Sequence, residues 1–197
     1  MKKTVGIFLF DDVEVLDFAG PFEVFSVTNE LQDDNLLSVV TLAETSALVR
    51  AVNGLVVQPQ FAMADAPPID VLVVPGGIGS RRLLKNDAVL KWIEHRATEA
   101  GIVFSVCTGA LVLAKLGLLD GLHFTTHHSA FDELEKSVPT GTLRRDVRFV
   151  DNGKIITAAG ISAGLDASLY LVQKLFGADV ATATATYMEY AWTAEEE

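Results

Sequence analysis

Cysteine is nearly absent from this chain of 197 residues: there is one, Cys107. A disulfide within the chain and a cysteine-based zinc cluster are therefore excluded, and the usage fits a reducing, cytoplasmic setting. Positive charge is scarce as well, with 15 Lys and Arg against 26 Asp and Glu and a formal net charge of −11. Such a surface repels phosphate backbones and anionic bilayers, so neither nucleic acid nor membrane is expected as a partner. Long apolar runs are missing too, since none approaches the ~18 residues of a membrane span. The apolar segment after Met1-Lys2-Lys3-Thr4 is only about seven residues long and lacks a small-residue cleavage site, so it reads as a strand and not a signal peptide. Internal repeats, linkers and low-complexity segments are absent, and Glu195-Glu196-Glu197 reads as a solvated end. Neither His-Glu-x-x-His, Cys-x-x-Cys nor a Gly-Lys-Ser/Thr phosphate loop occurs, so no metal is expected. What remains is a chain with 50% hydrophobic and 21% charged residues. That composition and length suit one sizeable core, a single domain over residues 1–197.

The apolar runs are short and β-branched, and they alternate with helix-like segments. Val5–Phe10, Leu37–Leu42, Val71–Val74 and Ile102–Val106 read as buried strands. Helices are expected over Phe18–Glu30, with Pro21 in its first turn, and over Ala88–Ala100 and Gly109–Leu116, the last closed by Gly117. Further helices are expected near Ala130–Ser137, Ala163–Phe176 and Asp179–Tyr190. Asn53-Gly54 and Asp151-Asn152-Gly153 carry hairpin signals, the second between Arg148–Val150 and Lys154–Thr157, and a short strand falls near His123–Thr125. Continuous apolar strands alternating with helices predict an α/β fold with a parallel sheet covered on both faces.

In such a fold ligands bind beyond the carboxyl ends of the strands. Three of these ends carry unusual residues. In Phe104-Ser105-Val106-Cys107-Thr108-Gly109-Ala110 an apolar strand runs straight into a helix with the cysteine at the junction, the arrangement of a nucleophile elbow. The turn is expected to expose the sulfur, and the helix N-terminus to lower the thiol pKa. A buried structural cysteine is the competing reading, at about even odds from residue type alone. In Val74-Pro75-Gly76-Gly77-Ile78-Gly79 the glycines free backbone amides, near Gly77 and Ile78, to face an oxyanion. An ordinary glycine-rich turn is the competing reading; Arg82 stands where a dinucleotide fingerprint needs its third glycine. In Val13-Glu14-Val15-Leu16-Asp17, Asp17 is either a helix N-cap or a carboxylate beside Cys107 that shuttles a proton. His127 and His128 follow a short strand; adjacent residues of a strand face opposite ways, which makes them poor co-ligands. His95 reads as solvated. Gly160-Ile161-Ser162-Ala163-Gly164-Leu165-Asp166 reads as a capped helix start whose Ser162 hydroxyl can line a pocket.

Taken together, Leu16-Asp17-x-x-Gly20-Pro21, Pro75-Gly76-Gly77-x-Gly79, Ser105-Val106-Cys107-Thr108-Gly109, Leu111-Val112-Leu113, Thr125-Thr126-His127 and Gly160–Asp166 resemble the ThiJ/PfpI superfamily, and within it the isonitrile hydratase branch. The resemblance covers nearly the whole chain. It implies a three-layer α/β/α sandwich with a mostly parallel central sheet, flavodoxin-like and class I glutamine-amidotransferase-like. It also implies Cys107 as nucleophile with Asp17 and Thr108 as catalytic partners, and Gly77, Ile78, His127, His128 and Ser162 as the oxyanion- and substrate-binding set. No cofactor, a small-molecule substrate and a homodimer are the further implications. Other branches carry Glu in place of Asp17, or His in place of Thr108, which argues against glyoxalase, deglycase and peptidase activity. His128 stands where hydratases usually carry Trp. Two other readings stay open: different thiol chemistry on a small electrophile, and a non-catalytic sensor. The sensor resembles the ligand-binding domain of AraC-type regulators; only about seven residues follow the last helix, too few for a DNA-reading module.

Overall fold

The structure, a computed structural model, describes residues 2–193. Glu195–Glu197, expected as a solvated end, lie outside the described residues. In chain order the first half contains β1 (Lys3–Leu9), α1 (Val15–Glu30), β2 (Leu37–Ala43), β3 (Val49–Arg50), β4 (Val56–Val57), β5 (Phe61–Ala62), β6 (Val71–Val74), α2 (Ser80–Leu83) and α3 (Asp87–Glu99). The second half contains β7 (Ile102–Val106), α4 (Gly109–Lys115), β8 (His123–Phe124), α5 (Phe131–Ser137), β9 (Thr142–Leu143), β10 (Phe149–Asp151), β11 (Ile155–Ala158), α6 (Ala163–Phe176) and α7 (Ala178–Tyr187).

Seven strands form one sheet in the order β10-β11-β7-β6-β1-β2-β5. Every pairing in it is parallel except the β10–β11 hairpin, where Phe149 faces Ala158 and Asp151 faces Ile156. The chain is thus α/β, with a mostly parallel sheet flanked by helices. β6 and β7 are buried along their whole length, because a strand with helices on both faces has no solvent side. Phe8, Leu72 and Phe104 are wholly inaccessible in the centre of this core. Burial of each such side chain is worth about 1.5–3 kcal/mol.

The topology places the site. From β1 the chain crosses through α1 to β2 on one side; from β6 it crosses through α3 to β7 on the other. Right-handed crossovers in opposite directions put the two helices on opposite faces. A crevice opens where the order reverses, at the carboxyl ends of β1 and β6 with β7 alongside. All three unusual strand ends meet there.

Two expectations about α1 are corrected. The helix begins at Val15, three residues earlier than expected, so Pro21 is inside it and not in its first turn. Lacking an N–H, Pro21 leaves the Asp17 carbonyl without its i+4 donor. Asp17 is the third helical residue and is no N-cap; Glu14 holds that position and makes no side-chain capping bond. The missed elements are short: α2, β5 and β9 span only four, two and two residues.

Candidate active site

β7 ends at Val106, and Cys107 follows in the left-handed region at φ +57°. An L-residue with a Cβ rarely adopts this conformation, and it recurs at functional turns. The turn holds because its backbone is tied on both sides. The Cys107 N–H donates to the carbonyls of Ala158 and Ala159 at 3.1 Å each. The Cys107 carbonyl accepts the Thr126 hydroxyl at 2.7 Å. The helix that follows must start hard against β6, and glycine permits it: a Cβ on Gly109 would lie 2.0 Å from the Val74 carbonyl oxygen. The sharp turn expected at Cys107 is therefore present. The exposure expected of its sulfur is not, for only 6% of the residue is accessible.

Asp17 reaches Cys107 from α1 and is completely buried. Its Oδ2 accepts the Gly76 amide at 3.0 Å. Its Oδ1 is buried without an ordinary hydrogen-bond partner among the described residues. The carboxyl and the Cys107 thiol interact directly. Burial pushes the carboxyl up to about 7, assisted by the negative charge of Glu14 and opposed by the thiol and by the Gly76 and Ile161 amides. Burial and the facing Asp17 push the Cys107 thiol up to about 12, against the Thr108 amide, which favours the thiolate. The thiol pKa is thus raised and not lowered as expected. One turn of amides at the start of a seven-residue helix does not outweigh desolvation plus an adjacent carboxylate. The resting pair is a thiol beside a carboxyl that changes charge near neutrality, with one proton for the two groups above that point.

Thr108 braces the glycine loop to the elbow. Its hydroxyl accepts the Gly77 amide at 3.0 Å and the Ser80 hydroxyl at 3.1 Å, and it donates to the Gly77 carbonyl at 3.1 Å. The loop comes this close because residue 76 has no side chain: a Cβ there would sit 2.5 Å from the Thr108 nitrogen and 2.9 Å from Asp17 Oδ2. The Gly77 amide, expected to face an oxyanion, is occupied by Thr108. The Ile78 amide has no partner among the described residues, and the Ile78 side chain is 67% accessible.

His127 and His128 lie in a loop leading into a short 3-10 turn and not in a strand. They do not point apart as expected; their rings pack 4.2 Å apart between centroids. His127 Nδ1 accepts the Ser129 amide at 3.2 Å and lies 2.8 Å from the Ser129 hydroxyl. An accepting Nδ1 leaves the proton on Nε2. Burial, then the neighbouring His128, lowers the His127 pKa, so the ring is neutral at physiological pH. It packs on Gly160, where a Cβ would lie 2.0 Å from the imidazole Cδ2. Ser162 precedes α6 but its side chain caps nothing; its hydroxyl accepts from Arg148 at 3.1 Å. Thr126, His127, His128, Arg148, Ile161 and Ser162 share the walls of one open cleft of about 510 Å³. A second cavity, of about 280 Å³, lies between the end of β1, the Ala43–Val49 segment and α2–α3; neither cavity is lined by Cys107 or Asp17, which lie beneath the surface next to the wall that Ala159, Gly160 and Ile161 give the first. His95 is exposed beside Glu99, as expected.

Three participants escaped the sequence reading. Glu14 biases both Asp17 and His127 through its charge. Its position ahead of an apolar helix was the available signal. Ile161 sits at φ +56° with its amide towards the Asp17 carboxyl. A β-branched residue is the last type expected in that conformation, so nothing in the sequence marks it. Arg148 reaches the site through tertiary structure alone. Among the described residues no group of His, Cys, Asp and Glu is arranged to hold a metal ion, and no helix is long and apolar enough to cross a membrane.

Comparison with known proteins matches residues 3–174 to the DJ-1/PfpI family. The chain is 36% identical over 192 residues to an isonitrile hydratase of Pseudomonas putida, spanning 97% of this chain and 80% of that protein. It is 26% identical over 188 residues to the HTH-type transcriptional regulator GbdR of Pseudomonas aeruginosa, spanning 95% of this chain and 51% of the regulator, about half its length. A crystal structure of a ThiJ/PfpI family protein from Pseudomonas syringae superposes with a TM-score of 0.87 at 26% identity, covering 100% of this chain and 78% of that one.

Proposed function

The chain belongs to the DJ-1/PfpI family, and on that premise we propose that it is an isonitrile hydratase-like lyase that converts R–N≡C and water into the N-formamide R–NH–CHO without a cofactor. The observation that carries the proposal is the sealed Cys107–Asp17 pair, one proton acceptor matched to one nucleophile at the switch point of the sheet. The 36% likeness to an isonitrile hydratase supports the choice of substrate class.

The raised thiol pKa suits this chemistry. Cys107 is not a free thiolate open to adventitious electrophiles; its nucleophilicity is released by Asp17 when substrate is present. The carboxylate takes the thiol proton as Sγ bonds to the isonitrile carbon. The carbon lone pair left by that addition takes the same proton back from Asp17, giving the thioimidate R–N=CH–S–Cys107. Water then adds across C=N with Asp17 as base, and the nitrogen is protonated. The resulting R–NH–CH(OH)–S intermediate expels the thiol as its oxygen becomes the formyl carbonyl. The Thr108 and Ile78 amides are the donors for developing charge, each worth roughly 3–4 kcal/mol in known oxyanion holes. Thr108 Oγ1 fixes the spacing between the two loops, and the His127 Nε2–H donor and Ser162 hydroxyl bound the substrate cleft.

The test is formamide appearance from a simple aliphatic and a simple aromatic isonitrile, with Cys107→Ala alongside. Turnover is expected only in the wild type, together with a Cys107 adduct of substrate mass trapped at low pH. Full activity in Cys107→Ala sinks the covalent route. A second reading is favoured by the regulator likeness: the same cleft binds a small molecule without turning it over. Saturable ligand binding with no product from any electrophile selects it.

A further inference from the structure

The walls of the 510 Å³ cleft run against the charge of the molecule. The chain carries −11 overall, yet no aspartate or glutamate lines this cleft, whereas Arg145, Arg148, His127 and His128 do. The backbone of Arg148 is tied to the Cys107 turn. The Cys107 N–H donates to Ala159, and the Ala159 N–H donates to the Arg148 carbonyl at 2.8 Å.

The guanidinium is held from behind. Its Nε donates to Asp166 Oδ2 at 2.7 Å, and Nη2 contacts the same carboxylate and the Ser162 hydroxyl. Asp166 is itself fixed by the Tyr190 hydroxyl at 2.8 Å. The same guanidinium is also hydrogen-bonded to the Tyr190 hydroxyl. A side-on ion pair of this kind orients the fork, whose five N–H donors outnumber these partners. Arg145 is likewise tethered on its far side, through Nη2 to Asp132 and Glu135. Neutral His127, with its proton on Nε2, adds a further donor to the wall without adding charge.

We infer that the cleft is an anion subsite, and that the substrates preferred by this protein carry a carboxylate on the group R. The inference rests on the hydratase reading for the reacting end of the molecule and on the arginine cleft for the other end. A planar monoanion suits an oriented, already ion-paired guanidinium; a phosphate dianion in a molecule this acidic would need more uncompensated cations.

The experiment compares isocyanoacetate with its methyl ester, which differ at the carboxylate and share the reacting carbon. In the wild type kcat/KM is expected to favour the acid by about 10-fold or more, the range of a charge-assisted hydrogen bond. Arg148→Gln brings the ratio towards one. Arg148→Lys, which keeps a cation beside Asp166, retains part of the preference and guards against simple misfolding. Equal turnover of acid and ester in the wild type, or a ratio indifferent to Arg148→Gln, overturns the inference and leaves the hydratase reading standing. If neither compound reacts, the hydratase reading fails, and binding of N-formylglycine to the Cys107→Ala protein decides the cleft. Binding that is stronger than for the formylglycine ester and is lost in Arg148→Gln upholds the anion subsite; no such binding overturns it.

Discussion

Replacing Asp17 by Asn is expected to make the protein more stable above neutral pH while removing its proposed proton acceptor. The carboxyl is wholly inaccessible, and burial pushes it up to about 7 in the fold, against about 3.9 for an aspartate in the unfolded chain. Below about pH 4 the group is protonated in both folded and unfolded chains and contributes nothing to the difference. Between the two values the unfolded chain releases the proton and the native state keeps it, so native stability falls as pH rises. Above 7 both states are ionised and the full penalty stands. A displacement of this size corresponds to about 4 kcal/mol. Asparagine has nearly the same shape, can still accept the Gly76 amide, and carries no charge to bury. Asp17→Asn should therefore lie within about 1 kcal/mol of the wild type near pH 4.5 and exceed it by a few kcal/mol at pH 8. For a chain of this length that is a rise in melting temperature of roughly 5–15 °C. Thermal unfolding of both proteins across pH 4.5–8.5 measures it. A variant no more stable than wild type at pH 8, or an advantage independent of pH, would refute the view that the fold holds Asp17 at the expense of stability.

The same titration predicts the activity profile: kcat/KM should rise with pH along a single-proton limb near 7, because Asp17 must be ionised to accept the thiol proton, and a flat profile from pH 5 to 8 would contradict this. Thr108→Val removes a hydroxyl that makes three contacts between the elbow and the glycine loop. It should lower kcat about 10- to 100-fold and destabilise the fold by about 1–3 kcal/mol, as an orphaned Gly77 amide implies; denaturant melts and steady-state kinetics read both. Gly160→Ala drives a methyl into the His127 ring, and should raise KM more than it lowers kcat, which substrate titration resolves.

The α/β class and the positions of the main strands and helices were legible because continuous β-branched runs such as Val71–Val74 have no solvent face to mark, and because helix ends carry residues such as Gly117. The sharp turn at Cys107 was legible for a related reason. A strand that meets a helix through Cys-Thr-Gly leaves the local chain little choice of turn, and α6 appears over the span its pattern predicts, Ala163–Phe176. The state of the thiol was not legible. Helix-terminus reasoning is local and favours thiolate, whereas the pKa is decided by how much water the surrounding loops exclude and by a carboxyl ninety residues earlier in the chain.

The sequence by itself determined the strand–helix alternation, the lone cysteine at a strand end, and a set of glycines at positions where close approach turned out to be needed. Those are consequences of side-chain shape and of periods of two and 3.6 residues, which act within a few residues of one another. Only the tertiary structure decided that Asp17 is buried against the thiol, that Thr108 occupies the Gly77 amide, that Ile161 is held left-handed, and that Arg148 lines the cleft. Each of these depends on groups far apart in the chain meeting at the reversal point of the sheet. There the energies of burial, charge and hydrogen bonding are set by what is excluded from the site as much as by what enters it.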